Sequence, residues 1–139
     1  MRNTTYDRYL EAEILSADPV KLVQILFRAA LESVAAARRY LRDGEIRQRS
    51  QHITKASEIL NQLMLSLDHS LGGEISRNLV ELYAYMQTRL IEANTQQTEP
   101  PLAEVEQLLA TLADAWRAAS PVVPAPPPAT EYAPVSCTF

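Results

Sequence analysis

Two histidines, one cysteine and a scatter of carboxylates are the residues of this chain whose types could do chemistry. His52 and His69 stand 17 positions apart, and neither belongs to a His-x-x-x-His pair that would set two imidazoles over one metal. A di-metal helical bundle would carry Glu-x-x-His twice. Here Arg49 and Ser66 occupy the positions three before the two histidines. The lone Cys137 permits no internal disulfide and no multi-cysteine zinc site. It lies where no helix terminus or ordered base is expected to activate a thiol. Glu104 and Glu106, two apart on a helix, point away from one another instead of into a shared site. Gly72-Gly73 lacks the glycine spacing and the Lys-Ser/Thr of a phosphate loop. The pattern therefore implies no enzyme, no metal and no cofactor, and leaves recognition by surfaces.

The elements that would carry such surfaces follow from composition and period. At 139 residues the chain has room for one domain. Only three glycines occur and all nine prolines fall outside the long apolar-periodic stretches, which disfavours a sandwich or barrel. No apolar run approaches the ~18–20 residues needed to cross a bilayer, so no stable membrane insertion is expected. Met1 to Arg8 leads into no signal-peptide apolar stretch, which makes the cytoplasm the expected location. Net charge is −4, so no global field favours nucleic acid. The distribution is uneven, with a local +4 from Arg38 to Lys55 and a local −5 from Glu74 to Asp114. These are expected to be two solvated helix surfaces of opposite sign. The basic cluster lacks interleaved aromatics beyond Tyr40, against a nucleic-acid partner.

Asp18-Pro19 reads as a helix start, with Asp able to cap and Pro losing no bond at the first position. Leu22, Val23, Leu26, Phe27, Ala30, Leu31, Val34, Ala37 and Leu41 then recur at helical spacing until Asp43-Gly44. A second run extends from Ile46 to Leu67 and stops near Leu71-Gly72-Gly73. A third holds Ile75, Leu79, Leu82, Tyr83, Met86, Leu90 and Ala93 and closes around Asn94. Thr95 to Pro101 reads as a connection, and a fourth stripe runs from Leu102 to Trp116 before Ser120-Pro121. Four such stripes predict an all-α fold, an antiparallel up-and-down four-helix bundle over residues 18–120. Residues 1–17 form a short N-terminal arm. Residues 121–139 hold six of the nine prolines and are expected to be a disordered tail. The first and third helices carry more apolar positions than a narrow seam requires, room for another amphipathic helix.

Five stretches in order then resemble the FliS family of flagellin-specific export chaperones. They are Tyr9 with Ser16-Ala17-Asp18-Pro19; Leu22-Val23-Gln24-Ile25-Leu26-Phe27; Leu67-Asp68 with Gly72-Gly73-Glu74-Ile75; Leu82-Tyr83-Ala84-Tyr85-Met86 running to Arg89-Leu90-Ile91-Glu92-Ala93-Asn94; and Leu102-Ala103-Glu104-Val105-Glu106 leading to Asp114-Ala115-Trp116. Arg28-Ala29 stand where the family usually has Asp-Gly, and the proline-rich tail is an addition.

The resemblance implies a bundle that binds the disordered C-terminal segment of flagellin in the cytoplasm, prevents its premature polymerisation and delivers it to the flagellar type III export gate. It implies a partner-binding arm with Tyr9, Ile14 and Leu15, and groove residues Leu22, Leu26, Leu79, Tyr83, Met86 and Leu90. The alternative from a different class is a helical regulatory module that binds a non-flagellin helix. The same apolar strip leaves room for a homodimer of the free protein.

Overall fold

In the computed structural model, which describes residues 8, 19–67 and 73–119, the four periodic stretches are helices, and no strand occurs among the described residues. Helix α1 spans Pro19–Asp43, α2 Ile46–Leu65, α3 Glu74–Gln96 and α4 Pro100–Ala119. Helices α1 and α3 each pack against both α2 and α4, which closes a ring of four neighbours. Neighbours run antiparallel. Arg38, late in α1, reaches Glu106, early in α4, at 2.5 Å, and Ser50, early in α2, reaches Asn94, late in α3, at 3.0 Å. This is the up-and-down four-helix bundle that the pattern predicts.

The core is built from one face of each helix. Val34, Leu60, Met86, Leu90, Leu102, Val105 and Leu109 expose no surface. Ala29, Ala30, Ala36 and Ala37 are buried on α1, and Ala56 is buried on α2. Small side chains on facing helices let their axes approach, so the seam between α1 and α2 is the most extensive of the four.

The helix ends show why some boundaries are legible and others are not. Gly44 has φ +74°, its amide bonds Leu41 O at 3.2 Å and the Glu45 amide bonds Tyr40 O at 2.9 Å. That pair of bonds is a Schellman stop, and glycine reaches the left-handed conformation without a Cβ clash. Helix α3 also ends on a left-handed residue, Gln97 at φ 53°, and both the Gln97 and Thr98 amides bond Ala93 O, the latter at 3.2 Å. No glycine announces it, so the expected end at Asn94 falls short by two residues. Helix α4 begins at Pro100, two residues before the expected Leu102. Its first turn leaves its amides without helical partners, so two prolines there forfeit nothing. The connection expected over residues 95–101 shrinks to Gln97, Thr98 and Glu99. Helix α2 stops at Leu65, where Ser66 turns its hydroxyl onto Gln62 O and Leu63 O.

The charged surfaces are partly joined: Arg38 and Arg42 of the basic stretch meet Glu99 and Glu106 of the acidic one, while Arg39 and Arg47 stay exposed to solvent. Arg38 donates to Glu106 and so joins α1 to α4, and Arg38 at 2.7 Å and Arg42 at 3.2 Å both donate to Glu99 in the connection before α4. Arg89 donates to Glu104 at 2.6 Å and joins α3 to α4. Trp116 closes the other end of the α1–α4 seam, its indole N–H 3.4 Å from Val20 O. The expected cap at Asp18, the arm apart from Arg8, His69, Gly72 and the proline-rich tail with Cys137 lie outside the described residues.

Candidate functional site

The α2–α3 seam differs in kind from the two seams made by α4. Uncharged groups and one buried arginine bridge it. Arg49 is 4% exposed, and its Nε donates to Asn94 Oδ1 at 3.0 Å, while Nη1 and Nη2 reach Gln97 Oε1 and Asn94 O at 3.4 Å. A guanidinium held on a last-turn carbonyl of α3, that of Asn94, meets the negative end of that helix dipole. Ser50 Oγ adds a second donor to Asn94 Oδ1 at 3.0 Å. Two turns earlier on α3, Gln87 Nε2 donates to Ser57 O at 3.0 Å.

Beside these bridges lies an open groove of about 730 Å³. Its apolar lining comes from Leu26, Ile53, Ile59, Leu90 and Ile91. Thr54, Ser57, Asn61, Gln62, Gln87 and Asn94 supply polar walls, with Lys55 and Glu58 the charged residues of the lining. The arrangement can hold an apolar stripe and hydrogen-bond the groups flanking it, and the opposed charges cancel. Ile91 is 60% exposed at this groove. Leaving a large aliphatic side chain in water is a feature of binding surfaces when it continues into an apolar floor.

The structure places the expected site residues in three groups. Leu26, Tyr83, Met86 and Leu90 are buried in the core, and of these Leu26 and Leu90 also line the groove. Leu22 and Leu79 are half-buried against the core and lie outside that lining. Tyr9, Ile14 and Leu15 fall outside the described residues. Burial pushes the Tyr83 phenol up to about 12, and its hydroxyl has no hydrogen-bond partner among the described residues. Apolar spacing does not reveal the wall residues Thr54, Ser57, Gln87 and Asn94, whose amides and hydroxyls carry no hydrophobic period. The signal available was the α3 register, which sets Gln87, Leu90, Ile91 and Asn94 at helical spacing on one face.

Titratable groups elsewhere hold structural positions. Tyr40 and His52 stack across the α1–α2 seam with ring centroids 5.4 Å apart. Burial, then Lys55 and Arg39, push the His52 imidazole below its ordinary value. The hydrogen bond from Arg38 holds the Glu99 carboxyl low, and those from Tyr85 and Arg89 do the same for Glu104. Among the described residues no group of three or more His, Cys, Asp or Glu is placed to hold a metal ion. No helix among them is long and apolar enough to cross a membrane.

Comparison with known proteins gives this groove a context. The family described as Flagellar protein FliS matches residues 1–123. The flagellar secretion chaperone FliS of Salmonella typhimurium is 39% identical over 81% of this chain and 84% of its own length. The flagellar secretion chaperone FliSB of Pseudomonas aeruginosa is 38% identical over 77% of this chain and 85% of its own. That of Bacillus subtilis is 27% identical over 82% and 84%. With its four-helix bundle and a family match running through all four helices, the chain belongs to the FliS family of flagellar secretion chaperones.

Proposed function

We propose that this protein binds the disordered C-terminal segment of flagellin in the cytoplasm, keeps it from polymerising and delivers it to the cytoplasmic domain of the flagellar export gate. The observation that carries the reading is the family match over residues 1–123, shared with secretion chaperones from several bacteria. The α2–α3 groove supports it, because an apolar floor between polar walls suits an amphipathic segment deprived of its filament neighbours. Ordering such a segment costs conformational entropy, so a large wrapped surface coexists with an affinity low enough for release. No catalysis is part of the mechanism.

Within this reading Leu26 and Leu90 underlie the groove, and Leu22, Leu79, Tyr83 and Met86 are the further apolar contacts or their support. Tyr9, Ile14 and Leu15 of the N-terminal arm complete the partner-binding set. The test is calorimetric titration of the full chain with a peptide covering the C-terminal helical segment of the host's flagellin. Saturable 1:1 binding with a large negative heat-capacity change is expected. A folded protein that takes up no peptide and self-associates instead would replace this reading with a helical regulatory module.

A further inference from the structure

Two side-chain amides in the α2–α3 groove have their orientation settled by chemistry. Arg49 can only donate, so the Asn94 atom 3.0 Å from its Nε is the amide oxygen. Ser50 donates to the same oxygen. The Asn94 NH2 group is therefore left for the groove, which Asn94 lines, and it has no acceptor among the described residues. Gln87 is the mirror case. The Ser57 carbonyl can only accept, so the Gln87 nitrogen faces it at 3.0 Å. The Gln87 amide oxygen is left, with no donor among the described residues.

We propose that Asn94 and Gln87 are the specificity-determining hydrogen-bonding pair of this groove, Asn94 as donor and Gln87 as acceptor, and that together they set the direction of the bound flagellin segment. The proposal rests on the flagellin-binding reading above. Asn94 and Gln87 are seven residues apart on α3, hence on one face and about 10 Å apart along its axis. A helical stretch of about two turns, the length that spans the two amides, ends in free carbonyls at its C-terminus and free N–H groups at its N-terminus. It meets both amides when its carbonyl end lies at Asn94, parallel to α3. The reverse direction sets carbonyls against the Gln87 oxygen and strips water from the Asn94 amide without a partner. Lys55 and Glu58 offset one another in the lining, so hydrogen-bonding polarity rather than net charge distinguishes the two directions.

The test uses the full chain and the flagellin C-terminal peptide. Asn94→Asp keeps an oxygen for Arg49 and Ser50 and replaces the donor with an acceptor. Gln87→Met keeps length and removes the acceptor together with the bond to Ser57 O, so its affinity is read beside its thermal midpoint. Asn94→Asp is expected to weaken peptide binding by about tenfold or more without lowering the thermal midpoint, and Gln87→Met by several-fold. A nitroxide on Thr95→Cys, in a chain also carrying Cys137→Ser, is expected to broaden NMR signals of the peptide helix at its C-terminal end. Unchanged affinity in both variants, or broadening at the N-terminal end, overturns the proposal and leaves flagellin binding intact. Absence of any binding heat with the unaltered chain overturns the flagellin reading and this proposal with it.

Discussion

Tyr83 and His52 are two residues whose environments make their protonation part of folding. Tyr83 is 3% exposed and its phenol is pushed up to about 12 from an ordinary 10.0, by burial. Between those values the unfolded chain sheds the proton and the folded chain keeps it, so stability falls as pH rises. Tyr83→Phe is expected to flatten this alkaline limb. At neutral pH it should be neutral or stabilising by up to about 1 kcal/mol, since it deletes a buried hydroxyl without a partner among the described residues. Thermal melts at pH 7 and pH 11 read both effects, and a marked loss at pH 7 would mean the hydroxyl is satisfied. By contrast, Tyr83→Ala removes a core ring at a cost of about 3–5 kcal/mol, so its effect on partner binding needs melts alongside. His52 has the opposite sign. Its imidazole is held below 6.5, so as pH falls through that value the unfolded chain takes a proton the folded chain resists. Stability should decline on acidification, and His52→Gln should lessen the decline in melts between pH 7 and pH 5.

Helix ends carry the clearest element-scale predictions. Gly44 and Gln97 both sit at left-handed φ, but only one of them is glycine. A side chain there costs about 1–2 kcal/mol, so Gln97→Gly is expected to raise the thermal midpoint and Gly44→Ala to lower it. The gain at Gln97 is reduced by the 3.4 Å bond its side chain takes from Arg49. If Gln97→Gly is less stable than the parent, that bond outweighs the strain. The same pair explains what was legible in the sequence. Asp43-Gly44 announces the end of α1, while α3 overruns Asn94 because its stop uses a glutamine. The prolines at 100 and 101 mislead for a related reason: they begin a helix as readily as they forbid its continuation.

At the scale of the whole molecule, charged pairs tie α1 and α3 to α4 and to the connection that precedes it. Glu99 and Glu104 have their carboxyls held below 4.5 by hydrogen bonds from Arg38 and from Tyr85 with Arg89. The contribution is present above that value and is lost as pH falls through the lower folded-state value. Acid melts should show a steeper loss below pH 4.5 in the parent than in Glu99→Gln, and parallel curves would mean the pairs are fully screened by solvent. The groove allows a separation of binding from stability. Ile91 is 60% exposed, so Ile91→Ser should leave stability within about 0.5 kcal/mol while weakening uptake of the flagellin peptide. Leu90, with no exposed surface, should instead lose about 2–5 kcal/mol of stability as alanine. Equal affinity of the Ile91→Ser variant and the parent would remove the groove rim from the binding surface.

The sequence alone determined the class of this protein: four helices, their order, most of their ends and the family motifs strung along them. Those features are local or periodic, and 3.6-residue spacing with glycine and proline punctuation expresses them directly. Tertiary structure decided which apolar residues face a neighbour and which face a groove. Leu90 and Ile91 are adjacent and both aliphatic, yet α2 and its neighbours bury one and leave the other exposed. Structure also decided that Arg49 would be buried on the end of α3 rather than join a solvated basic face. Arg49, Asn94 and Gln97 meet only when α2 and α3 pack antiparallel, and no spacing along the chain encodes that meeting. Periodicity specifies the face of a helix, whereas the partner across the seam fixes the direction of each amide on it.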